Sequence, residues 1–87
     1  ICIVFYGAGE LAEIAYLSLQ HSCIELVAVV DDGRVGQNFM QFTVIHPDRI
    51  ESLWFDRILI ATIDSTESIS KKLTNMGIST SRVVEIA

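Results

Sequence analysis

Gly7, Gly9 and Ala12 stand in the order G-x-G-x-x-A, within Gly7-Ala8-Gly9-Glu10-Leu11-Ala12. Each position has a physical task in a phosphate-binding turn. Gly7 permits a tight exit from a strand. Gly9 carries no side chain, so a pyrophosphate can approach the backbone. Ala12 lets a helix lie close to a sheet. The unpaired amides and positive dipole end of that helix then face the anion. Asp31 follows about 20 residues on, as the dinucleotide fingerprint requires. An acidic side chain there accepts both ribose hydroxyls of an adenosine and repels a 2′-phosphate. The ligand expected from these residues is a nucleotide or dinucleotide, of NAD type rather than NADP type. Glu10 opposes this in part, because a carboxylate in the first helical turn repels a phosphate unless it points away.

The candidate contacts are Gly7, Ala8, Gly9, Glu10, Leu11, Asp31, Asp32, Ala61 and Thr62. Asp32 has two readings: a ribose contact, or an Asx-type turn with Gly33. Thr62 ends a strand at the carboxyl edge, where ligands of open α/β sheets sit. Either it meets a phosphate or ribose, or with Ser65 it starts the next helix. No catalytic set is expected. His21 and His46 read as loop residues. Tyr16 has Gln20 where a Tyr-x-x-x-Lys pair would need lysine. Cys2 and Cys23 lack metal or redox spacing, so no metal site is expected.

The elements that must hold these residues are legible as a pattern. Ile1-Cys2-Ile3-Val4-Phe5-Tyr6 is a continuous apolar run, suited to a strand covered on both faces. Glu10 to Gln20 is a helix, apolar almost all round and so expected to be buried between sheet and neighbours. Glu25–Val30 is the second strand. Residues 33–41 read as a loop broken by Gly33 and Gly36, 42–45 as a short strand, and 47–53 as a short helix with Pro47 in its first turn. Residues 57–61 form another buried strand. A helix then runs to Met76, capped by Asp64 with Glu67 as capping-box partner. Lys71 and Lys72 complement its dipole, and Gly77 supplies the left-handed residue after it. Residues 82–86 close as a last strand. Strands alternating with helices give an α/β class: a three-layer, Rossmann-like domain with a small, mostly parallel sheet.

The bulk properties bound the function. The 87 residues are expected to make one domain, and with Ile1 in place of Met the expectation is a fragment of a longer protein, with a fused partner domain outside this chain. Hydrophobic residues are 51% and charged residues 20%, a globular composition. No apolar run approaches the ~20 residues of a membrane helix. The net charge of −5 and the lack of a Lys/Arg cluster argue against direct nucleic-acid contact. A cytoplasmic location is expected. Trp54 and Phe55 read as core or rim packing, with a partner surface or homodimer contact as the alternative.

These segments together resemble a known domain: the Gly-Ala-Gly-Glu turn, Glu25 to Asp32, the Gly-containing loop, Phe42-Thr43-Val44, Pro47-Asp48, Asp56 to Ala61, and the helix ending in Met76-Gly77. The resemblance is to the CoA-binding-like Rossmann domain at the amino end of bacterial polysaccharide-biosynthesis nucleotide-sugar dehydratases and dehydrogenases. Similar domains are fused to winged-helix transcriptional regulators linked to exopolysaccharide genes. The amino-terminal domains of sugar O-acyltransferases are more distant. The resemblance implies a nucleotide-binding fold with contacts at Gly7, Gly9, Glu10 or Leu11, Asp31 and Asp32, and NAD, CoA or a UDP-sugar as ligand. Gln41 stands where relatives commonly have Gly before the short strand. Three functions follow: a binding or sensing module, the cofactor half of a nucleotide-sugar oxidoreductase, or a non-catalytic assembly module.

Overall fold

Four parallel strands order themselves β2-β1-β5-β6, with β1 at Cys2–Tyr6, β2 at Glu25–Val30, β5 at Arg57–Ile60 and β6 at Val83–Glu85. A separate antiparallel hairpin joins β3 (Asn38–Phe39) to β4 (Phe42–Thr43). The computed structural model describes residues 1–86. Helix α1 spans Glu10–Leu19 and α2 spans Thr66–Asn75.

Side chains alternate across a strand, and this alternation builds two cores. Val4, Tyr6, Ile58 and Ile60 face α2 (Ile69, Leu73) and the 3-10 helix Pro47–Ser52 (Ile50). Ile3, Phe5 and Val29 face α1 (Ala12, Ala15) and the hairpin (Phe39). The result is three layers with the sheet in the middle. Phe39 meets the rings of Phe5 and Tyr16 edge-on, at 6.2 Å each. The β1–β2 register slips between Ile3 and Val4, leaving Val27 as the extra residue of a bulge.

Several expectations are met and others corrected. The parallel α/β sheet is as read, and the strand and helix bounds of the first 30 residues fall within a residue of expectation. Residues 33–41 are not wholly loop: Asn38–Phe39 pairs with Phe42–Thr43, and Met40 turns the hairpin at φ 53. The left-handed residue is thus Met40, and Gln41 does not need glycine's freedom. Ile45 lies outside the short strand and bridges Val30 in parallel. Helix α1 is not buried all round, because Ile14 and Leu17 are exposed. The Asp64 cap is absent. Helix α2 starts at Thr66, and its N-cap Ser65 sits at φ 58 with no side-chain capping bond. An N-cap side chain reaches back to the first-turn amides from extended backbone; the left-handed Ser65 does not supply that geometry.

The other end of α2 is as expected. Gly77 takes φ 86. The Ile78 amide donates to the Leu73 carbonyl at 3.1 Å and the Gly77 amide to Thr74 at 2.9 Å. These are the two bonds of a Schellman motif, and buried Ile78 and Leu73 supply its apolar contact. Of the aromatic pair, Phe55 is buried under the Arg82 guanidinium, 4.4 Å from its ring centroid. Trp54 is exposed, which removes it from the core.

Candidate functional site

The chain reverses direction across the sheet between β1 and β5. Strand β2 lies on one side of β1, and β5 and β6 lie on the other. In open α/β sheets the crevice for a ligand lies at the carboxyl ends of the strands beside such a switch. A cleft of about 600 Å³ sits there, lined by Gly7, Ala8, Gly9, Glu10, Leu11, Asp31, Ala61 and Thr62 among others. Eight of the nine sequence-predicted residues therefore converge on one cavity; Asp32 is not among its lining residues.

Gly7 is required by the backbone. It sits at φ +121, and a Cβ there would stand 3.1 Å from the Ala61 carbonyl oxygen. Its amide donates to the Val30 carbonyl at 2.8 Å, and the Ala61 amide donates to Tyr6 at 2.9 Å. The turn is thus drawn tight between β2 and the end of β5. Gly9 is the N-cap of α1, in extended backbone (φ −94), with no side-chain capping bond. The amides of Glu10 and Leu11 follow it in the first turn, where a helix offers no internal acceptor. Ala12 is fully buried against the sheet, the close helix–sheet approach expected of that position.

The two aspartates part company. Val29 packs on the α1 side of the sheet and Val30 on the α2 side, and the alternation carries past the strand end. Asp31 Oδ2 accepts from the Ala8 amide at 2.9 Å, and Oδ1 accepts from the Gly33 amide at 2.9 Å. The Asx turn with Gly33 is therefore made by Asp31, not by Asp32. Asp32 reaches toward α2: Oδ2 accepts from the Tyr6 hydroxyl at 3.2 Å, and Oδ1 pairs with Lys72 Nζ at 3.2 Å. Burial, then the charge and hydrogen bond of Asp32, push the Tyr6 phenol far above its usual range. Tyr6 stays protonated and donates. Lys72 thus ties α2 to the end of β2 in addition to lying near the helix terminus.

Thr62 Oγ1 accepts from the Asp64 amide at 3.1 Å, a local turn ahead of α2. The bond lies ahead of the helix and caps none of its amides, and Thr62 stands at the cleft wall. His46 is a local residue too: Nδ1 accepts from the Asp48 amide at 3.0 Å at the start of the 3-10 helix. Among the described residues no cluster of His, Cys, Asp and Glu could hold a metal ion. No helix among them is long and apolar enough to cross a membrane.

Sequence reasoning missed six residues that line the cleft: Tyr6, Ile14, Arg34, Ile63, Asp64 and Ile69. Arg34 matters most. Its Nε lies 3.9 Å from Asp31 Oδ2, and its Nη2 is the nearest atom to where a Cβ on Gly9 would stand, at 3.8 Å. Its spacing from Asp31 and from the loop glycines Gly33 and Gly36 matches no motif, so no signal in the residues singles it out. Ile14 and Ile63 are exposed apolar residues beside it.

Comparison with known proteins bears on the family and the fold. The family described as C2185-like, N-terminal, matches residues 2–84, and the chain belongs to it. No curated protein sequence matches the chain. Among solved structures, the crystal structure of UDP-D-quinovosamine 4-dehydrogenase from Vibrio fischeri superposes with a TM-score of 0.77 at 20% identity, over 99% of this chain and 77% of that one. At that identity the likeness speaks to the fold, which is Rossmann-like.

Proposed function

We propose that this C2185-like N-terminal domain is a binding or sensing module for a nucleotide or dinucleotide of NAD, CoA or nucleotide-sugar type. One observation carries the reading: the glycine turn, the start of α1, Asp31 and the end of β5 meet in a single cleft beside the switch between β1 and β5. The phosphates belong over Gly9, against the first-turn amides. The apolar side chains of Leu11, Ile14 and Ile63 suit a base or ribose face, in a cleft of ordinary ligand size. Asp31 has roughly four lone-pair positions, of which the Ala8 and Gly33 amides take two. It therefore keeps acceptor capacity for a ribose diol.

The larger setting we propose is a protein of polysaccharide biosynthesis or its regulation. A fused partner domain reads the bound state, and the protein works in the cytoplasm without touching nucleic acid through this domain. The resemblance to nucleotide-sugar enzymes supports this, as does the name of the Vibrio fischeri neighbour. That name also favours a second reading, the cofactor half of a nucleotide-sugar oxidoreductase. A Tyr-x-x-x-Lys segment downstream in the full-length gene would support the second reading, and an upstream winged helix would exclude it.

The binding proposal is tested by thermal denaturation of the domain with NAD(H), CoA and UDP-sugars. A ligand at a hundred times its Kd adds about 2.7 kcal/mol of stability. A shift with one class names the ligand, and no shift with any of them refutes the reading.

A further inference from the structure

The walls of the cleft carry an imbalance of charge. Glu10, Asp31 and Asp64 line it, against one cation among the described residues, Arg34. A diphosphate entering this space meets three carboxylates. The helix amides offer partial charge only, equivalent to about half an elementary charge. A full positive charge at the phosphate position is needed to offset the carboxylates, and Arg34 stands at that position. Its Nη2 lies 3.8 Å from where a Cβ on Gly9 would stand, on the side a phosphate approaching the glycine would occupy.

Arg34 is held loosely by its present partner. The Nε to Asp31 Oδ2 separation is 3.9 Å, and the Arg34 side chain is half-exposed. A pair of this kind contributes little to stability. Asp31 does not depend on it, since its two oxygens already accept from the Ala8 and Gly33 amides. The backbone beneath Arg34 is fixed. Its carbonyl accepts from the Gln37 amide at 3.0 Å, and the Gly36 amide donates to Val44 at 2.9 Å, which pins the loop to the hairpin. The guanidinium is therefore a free fork on a fixed base. Such a fork matches two phosphate oxygens at once.

We propose that Arg34 is the anion anchor of this cleft: on binding it leaves Asp31 and takes the diphosphate of the ligand, so the site selects nucleoside 5′-diphosphates over nucleosides. NAD, CoA and UDP-sugars share that diphosphate, so the inference concerns their common chemistry. It rests on the binding reading above and adds a residue and a selectivity to it. For ligands with a free ribose diol, as in NAD and UDP-sugars but not CoA with its 3′-phosphate, released Asp31 is then available to that diol. One exchange of partners thus prepares both ends of the ligand's ribose-phosphate unit.

The test is isothermal titration of the wild-type domain and of Arg34→Ala and Arg34→Lys with four probes: ADP, UDP, adenosine and uridine. Wild type should bind at least one diphosphate tenfold or more tighter than its nucleoside. In Arg34→Ala that ratio should collapse toward one, with nucleoside affinity unchanged, and Arg34→Lys should recover part of it. The ADP and UDP arms separate an adenosine from a uridine ligand. Equal losses for diphosphate and nucleoside in Arg34→Ala, or an unchanged ratio, would overturn the anchor role while leaving nucleotide binding intact. No binding of ADP or UDP to wild type would overturn both. Melting curves of each variant confirm the fold, and if Arg34→Ala does not fold, the Arg34→Lys ratio decides.

Discussion

Gly7 and Gly9 stand two residues apart and answer to different constraints. Gly7 is held by conformation and space, with φ +121 and the Ala61 carbonyl 3.1 Å from any added Cβ. Replacing it with alanine should cost about 1–3 kcal/mol in urea denaturation, through left-handed strain and contact with a backbone that cannot yield. Gly9 has ordinary backbone (φ −94) at an N-cap. Aspartate is a favoured N-cap residue, so Gly9→Asp should keep or raise the melting temperature while abolishing nucleotide binding. A matched loss of stability in Gly9→Asp would show that the position is structural.

Asp31 is more than a ligand contact. Asp31→Ala removes acceptors from the Ala8 and Gly33 amides. Hydrogen bonds to a charged group contribute about 1.5–3 kcal/mol each, so the substitution should lower stability by at least that much, as well as weakening an adenosine ligand. Unchanged stability would contradict the assigned bonds. Tyr6 gives a pH signature. An unfolded tyrosine loses its proton near pH ~10, whereas folded Tyr6 holds it well beyond. Above ~pH 10 the unfolded state therefore binds fewer protons, and stability falls as pH rises, by at most about 1.4 kcal/mol per pH unit. Below that pH the contribution is fully present. Urea midpoints at pH 9, 10 and 11 should fall more steeply for wild type than for Tyr6→Phe, and parallel slopes would refute the assignment.

At the scale of elements, α2 is anchored at its end rather than its start. The Schellman bonds and the Ile78–Leu73 contact fix its carboxyl end, whereas Ser65 offers no capping bond. Gly77→Ala forces an L side chain into φ 86 in open space, and should cost about 1–2 kcal/mol by thermal denaturation. A neutral result would mean that the last turn rearranges freely. Much of this level was legible in the residues. The apolar runs 1–6, 25–30 and 57–61 gave the parallel strands, because a strand covered on both faces cannot be polar. Gly77 after an apolar i, i+4 repeat marked the end of α2. The capping box Asp64–Glu67 misled, since the same residue types also serve turns. The hairpin at 38–43 was missed because two-residue strands carry no periodicity, and its turn uses Met40 at φ 53 instead of glycine. The roles of Asp31 and Asp32 were recoverable from strand parity: continuing the alternation of Val29 and Val30 sends them to opposite faces. Arg34 was not recoverable from spacing, since its approach to Gly9 depends on how the loop closes onto Val44.

For the whole molecule, the fold brings the first turn, the end of β2 and the end of β5 to one edge although 54 positions separate Gly7 from Ala61 in the chain. That convergence follows from the strand order, which places β1 between β2 and β5. The rest of the molecule supports that edge from below. Asp56 and Cys2 exchange backbone and side-chain bonds of 2.7 Å, and Arg82 Nη2 donates to the Phe55 carbonyl at 2.6 Å. The exposed side chains of Ile14, Leu17 and Trp54 lie outside both cores.

The central claim is that a nucleoside diphosphate docks over Gly9. Amide chemical shifts test it most directly. In a ¹H–¹⁵N titration of the domain with ADP and, separately, UDP, saturable shifts should concentrate at Gly7–Ala12, Asp31–Arg34 and Ala61–Asp64. Amides of β6 and of the carboxyl end of α2 should stay still. Shifts centred elsewhere, or none with either nucleotide at millimolar concentration, would contradict the account.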